Sequence, residues 1–208
     1  SKDSEMQTLF ENEFIYDLTP DQIRAISEIK KDMESDVPMD HILCGDVGYG
    51  KTEVAFRAAF KAINDSKQVL YLCPTTLLSK QQYESALERF KNYPVKIGIL
   101  NRFTPKKREE QILKDLENGN IDFVIGTHRL LSNDIKPKDL GLLIVDEEQR
   151  FGVAHKEKLK EFKSNIDILT LTATPIPRTM QMAMVGLRNL SLIETPPKNR
   201  HAVLTYVL

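Results

Sequence analysis

Gly45-Asp46-Val47-Gly48-Tyr49-Gly50-Lys51-Thr52 carries the spacing G-x-x-x-x-G-K-T, in which each residue type has a chemical task. The glycines let a loop wrap so that backbone N–H groups and the start of a following helix face phosphate oxygens. Lys51 would supply positive charge to the β and γ phosphates, and Thr52 a hydroxyl to Mg²⁺. The loop as a whole, Gly45 to Thr52, is therefore the expected cradle for ATP with Mg²⁺.

Asp146-Glu147-Glu148-Gln149 follows the apolar run Leu142-Leu143-Ile144-Val145. Acids at the carboxyl end of a buried strand stand where open α/β sheets bind ligands. Asp146 would hold Mg²⁺, through water, and Glu147 would orient or deprotonate an attacking water. Acids also end strands as plain solvated turns. The phosphate loop in the same chain favours the catalytic reading, so Lys51, Asp146 and Glu147 are the candidate catalytic residues.

These side chains need a sheet to position them. Apolar runs of strand length recur at Ile42–Cys44, Val69–Cys73, Val95–Leu100, Phe123–Ile125, Leu142–Val145 and Ile168–Leu171, with helix-signalled stretches between them. That alternation predicts an α/β domain with a mainly parallel sheet and helices on both faces. Thr19-Pro20-Asp21-Gln22 reads as a helix start: a capping hydroxyl, Pro at the first position and Gln three residues on. Ile23, Ile26 and Ile29 then recur on one face, and Thr104-Pro105 opens a further helix that Gly119 can close.

The 208 residues suffice for one domain, and the formal net charge of −1 supplies no global basic field. Contact with nucleic acid would have to be local. No apolar run approaches bilayer length, so no membrane partner is expected, and without a secretory signal the default compartment is the cytoplasm. Cys44 and Cys73 follow apolar residues without ligand spacing and read as buried strand thiols. His41, His155 and His201 have no ligand spacing either. The sequence starts without Met and stops inside the run AVLTYVL, which is expected of an excised piece. The boundaries expected are a lead-in over 1–18, the nucleotide-binding domain over 19–195, and a linker or start of a next domain over 196–208, where Pro196-Pro197 marks a hinge.

Taken together the motifs resemble a superfamily-two helicase motor. Gln22 in LTPDQ is similar to that family's adenine-reading glutamine, GDVGYGKT to motif I, PTTLL (Pro74–Leu78) to Ia, GTHRLL (Gly126–Leu131) to Ib, DEEQ to II and TAT (Thr172–Thr174) to III. More closely, DEEQRFGV (Asp146–Val153), LTLTATPIPRTMQMAM (Leu169–Met184) and GLRNLSLIETPP (Gly186–Pro197) resemble the bacterial transcription-repair coupling factors. Their nearest relative is the RecG fork-remodelling helicase.

The resemblance implies a RecA-like P-loop domain, the first of two that close on ATP and move along double-stranded DNA. It also implies a motor that displaces stalled RNA polymerase and recruits excision-repair proteins, through regions without counterpart here. Thr75, Thr76, Thr127, His128 and Arg129 fall where the family meets the DNA backbone, and their groups suit phosphate contact. A threonine at a strand end is also a common helix cap, and Gln22 doubles as the residue of a capping box. Gln149, Thr172 and Thr174 would relay between the ATP and DNA sites. Arg178 and Arg188 fit an interdomain cleft or a solvated helix face. A non-catalytic P-loop scaffold and a small-molecule kinase compete with the motor. The intact Lys51, Thr52, Asp146 and Glu147 oppose the first, and the PTT, GTHR and TAT segments oppose the second.

Overall fold

A computed structural model describes residues 2–162, 165–184 and 188–196. Residues 197–208 of the expected linker, His201 among them, lie outside the described residues. Seven strands form one sheet: β1 (Asp40–Gly45), β2 (Gln68–Leu72), β3 (Ile97–Leu100), β4 (Phe123–Gly126), β5 (Leu140–Asp146), β6 (Asp167–Thr172) and β7 (Asn189–Ile193). Their order is β3-β4-β2-β5-β6-β1-β7, and every neighbouring pair is parallel. All carboxyl ends therefore meet at one edge. Inner strands such as β2, buried at every residue, read as continuous apolar runs because helices cover both faces.

Against one face pack α1 (Glu5–Asn12), α2 (Pro20–Met33), α3 (Lys51–Asn64) and α4 (Thr76–Arg89). Against the other pack α5 (Lys106–Asn118) and α6 (Val153–Phe162), through Ile112, Leu116 and Leu159. A short α7 (Arg178–Met184) buries none of its residues.

Three details differ from the sequence reading. The segment 1–18 contains α1, whose Phe10 is fully buried and stacks on Phe60 of α3 with ring centroids 4.2 Å apart. Ile23 is exposed, because the buried stripe of α2 runs through Gln22, Ala25, Ile26 and Ile29. The helix expected from Thr104 begins at Lys106, with Pro105 as the capping position, because the Thr104 hydroxyl is used in the preceding turn: it accepts from Asn101 N and donates to Ile99 O. Gly119 does close that helix in the left-handed region, at φ 75°.

The seventh strand, β7, pairs with β1. A buried polar chain anchors it: Ser191 donates to Glu28 at 2.9 Å and meets His41 Nε2 at 2.7 Å, and His41 Nδ1 meets Asp32 at 2.9 Å. His41 thus has a structural place.

Candidate functional site: a phosphate-loop cavity

The loop after β1 turns into α3 through Gly48 at φ 79° and Gly50 at φ 86°. An added Cβ at Gly50 would run into the Gln22 side chain, so both conformation and space require glycine there. The 680 Å³ cavity beyond is lined by Val47, Gly48, Gly50, Lys51 and Thr52 from the loop side, and by Asp146 and Glu147 from the end of β5. Gln82 of α4 and Arg150 complete its wall. Gly45, Asp46 and Tyr49 face an adjoining 310 Å³ pocket with Ala173 and Glu194.

Lys51 Nζ donates back to the loop, to the carbonyls of Gly45 and, at 3.2 Å, Asp46. Burial holds its pKa below the ordinary lysine value, partly offset by Glu147 and Asp146. Burial pushes the Asp146 carboxyl up to about 6; Glu147 adds to the rise, while Lys51 and Arg150 oppose it. Glu147 occupies the left-handed region at φ 54°, uncommon for a residue with a side chain. Its N–H donates to Leu171 O at 2.9 Å, tying the end of β5 to β6.

The expected relay residues are in contact. Gln149 Nε2 donates to Glu147 Oε2 and, at 3.3 Å, to Thr174 Oγ1. Thr174 N donates to Thr172 Oγ1 at 3.1 Å. A hydrogen-bonded chain therefore runs from the second acid to the threonines after β6.

Gln22 is buried and uses both ends of its amide. Its oxygen accepts from Thr19 N at 2.9 Å, completing the capping box, and Nε2 donates to Tyr49 O at 2.8 Å. The second bond joins α2 to the phosphate loop. Beside the loop a 900 Å³ cleft, which shares Gly50 and Thr52 with the phosphate cavity, is walled by Phe14, Ile15, Tyr16 and Arg89. Sequence spacing did not single out these aromatics, nor Gln82. The side chain of Glu53 fixes this wall, accepting from Arg57 at 2.7 Å and from Arg89 at 2.6 Å.

Thr75 and Thr76 follow β2, and Thr127, His128 and Arg129 follow the neighbouring β4, so the sheet brings the two groups to one edge. Their environments differ. Thr75 caps α4, accepting from Leu78 N at 3.1 Å, and Thr76 O accepts from Ser79 Oγ at 2.7 Å. Thr127 is buried. His128 stacks on His155 with centroids 5.1 Å apart. Arg129 donates to both oxygens of Asp134 at 2.7 Å and to Glu109 at 3.2 Å, and these carboxylates raise its pKa further. Arg188 is held by Asp40 and Thr170 at 3.0 and 3.1 Å, a structural clamp rather than a solvated helix face.

The family model for DEAD/DEAH box helicases matches residues 19–183. The chain belongs to that family. Among curated relatives of this helicase domain, the transcription-repair-coupling factor of Bacillus subtilis (strain 168) is 64% identical over all 208 residues, and that of Staphylococcus aureus (strain USA300) 60% over 207. The chain spans 18% of the length of each. Among solved structures, RecG bound to a three-way DNA junction matches 96% of the domain and 27% of its own chain, at a TM-score of 0.84 and 36% identity. The DUF1998 helicase MrfA bound to DNA and AMPPNP matches 94% of this domain and 29% of its own chain at 0.67 and 16%, a likeness of fold alone. Among the described residues no helix is long and apolar enough to cross a membrane.

Proposed function

We propose that this helicase-family chain is the ATP-binding first RecA-like domain of a motor that moves along double-stranded DNA, and that the motor displaces stalled RNA polymerase and recruits excision-repair proteins in the bacterial cytoplasm. One observation carries the reading. Lys51, Thr52, Asp146 and Glu147 converge on a single cavity at the carboxyl edge of a parallel sheet, in a chain 64% identical to a named coupling factor.

Lys51 would leave the loop carbonyls for the β and γ phosphates, and the glycine loop would present its N–H groups to them. Glu147 would accept a hydrogen bond from the attacking water, oriented by Gln149. The cleft beside Phe14 and Tyr16 would take the adenine, within reach of Gln22. The residues present fit Mg²⁺: Asp146 and Thr52 face one cavity. Among the described residues no group of three or more His, Cys, Asp or Glu is placed to hold an ion, so phosphate and water would complete the shell. When bound, the ion neutralises charge developing on the phosphates.

The second RecA-like domain of the same protein would supply an arginine finger in trans, worth on the order of 10³–10⁵ in rate. Steady-state phosphate release tests this on the 208-residue chain and on a chain extended through the next domain, each with and without duplex DNA. The short chain is expected to bind Mg-ATP and turn it over barely. The long one is expected to show DNA-stimulated turnover that Glu147→Gln abolishes. Strong stimulation of the short chain alone would overturn the split site. A RecG-type fork motor is the second reading, favoured by the RecG fold match.

A further inference from the structure

Among the described residues, Gln7 Oε1, Tyr71 Oη and Gln82 Oε1 are buried side-chain atoms without a hydrogen-bond partner. The last two lie around Thr52. Tyr71, on β2 and fully buried, approaches the Thr52 side chain without making a bond of ordinary geometry. Gln82 lines the cavity of Lys51, Thr52, Asp146 and Glu147. A buried acceptor left unmade is costly, and two of the donors near the cavity are engaged elsewhere. Lys51 Nζ points to Gly45 and Asp46, and Gln149 Nε2 to Glu147 and Thr174.

The phosphates of a bound nucleotide cannot satisfy the Gln82 oxygen, because ionised phosphate oxygens only accept. Water on a divalent ion does donate, and does so strongly because the ion polarises its O–H bonds. We propose that Gln82 is a positioning residue for the metal–nucleotide complex, its carbonyl oxygen accepting a hydrogen bond from the hydration shell of the ion that Thr52 and Asp146 would hold. The inference rests on the nucleotide-binding reading above. It adds a contact from α4, the helix whose first residue is Thr76, so that occupancy of the phosphate cavity would be felt on the helix beginning at the candidate DNA edge.

Calorimetric titration of ADP into the 208-residue chain, once with Mg²⁺ and once with EDTA, tests it. Gln82→Leu is expected to lose about tenfold in affinity with Mg²⁺, the scale typical of outer-shell partners, and nothing with EDTA. Gln82→Glu keeps an acceptor and adds charge, so its Mg²⁺-to-EDTA affinity ratio should equal or exceed that of the parent. Thermal melts establish that both variants fold. An equal loss for Gln82→Leu in both buffers would mean that the amide meets the nucleotide itself or only supports the loop, and would overturn the proposal, as would no loss in either. If the parent chain binds ADP in neither buffer, the nucleotide-binding reading fails and this inference with it. If the parent gains from Mg²⁺ and Gln82→Leu gains as much, this inference alone fails.

Discussion

Asp146 pairs a chemical role with an energetic cost. Its carboxyl, pushed up to about 6 by burial and Glu147, takes a proton more readily folded than unfolded, where the value is 3.8. Folded protein therefore binds more protons than unfolded protein between those values, and stability contributed by this group falls as pH rises through that window. Asp146→Asn should thus stabilise the metal-free domain at pH 8 by on the order of 2 kcal/mol and leave it unchanged near pH 3. Urea melts at the two pH values measure this, and an equal effect at both would mean that the carboxyl is not held in a desolvated site. Gln22 makes a second residue-scale prediction. Gln22→Ala removes the side-chain half of the capping box and the bond to Tyr49 O together, while the Thr19 hydroxyl still accepts from the backbone N–H of residue 22, so the melting temperature should fall and any preference for ATP over GTP should relax. A variant that melts earlier yet keeps its preference would reduce Gln22 to a cap. The sequence made the cap visible, since Thr-Pro-Asp-Gln is a local pattern; the Tyr49 bond spans 27 residues and has no local signature. For the same reason Gln82 was not legible, being one of two adjacent glutamines on a helix whose facing loop lies 30 residues upstream.

At the scale of elements, the six strand runs found in the sequence correspond to strands of the sheet: the runs in inner strands such as β2 and β4, covered on both faces, are apolar throughout, and the edge strand β3 is apolar though only alternately buried. The seventh, Asn189-Leu190-Ser191-Leu192-Ile193, has a polar residue whose place is paired with His41 and Glu28. Its identity as a strand depends on those distant partners. The helix inside the lead-in has no sequence signature for a related reason. In α1 only Gln7 and Phe10 are buried, too few to make a helical stripe, yet Phe10 stands among Phe60, Phe90 and Tyr93. Phe10→Ala should cost about 3–5 kcal/mol, read from chemical unfolding. A loss below about 1 kcal/mol would make α1 an accessory rather than part of the core.

For the molecule as a whole, the candidate DNA edge carries hydroxyls, stacked imidazoles and an arginine already paired, without a broad basic field. Binding in the extended motor should be indifferent to sequence and weaken with salt, with a shallow slope in log–log form set by few phosphate contacts. Arg129→Ala should lower DNA-stimulated hydrolysis more than basal hydrolysis. Equal losses would place the Asp134–Arg129–Glu109 cluster in the fold instead. The family-level architecture was legible because its motifs are contiguous, whereas the ties among them, Gln149 to Thr174 and Gln22 to Tyr49, arise only when the sheet is assembled. The outermost strand has a mechanical consequence. β7 lies parallel to β1 and places Ile193 opposite Gly45, the first glycine of the phosphate loop. Tension on the residues after Ile193 would be taken in shear along the whole β1–β7 ladder, and would be delivered at the rim of the sheet from which the phosphate loop springs.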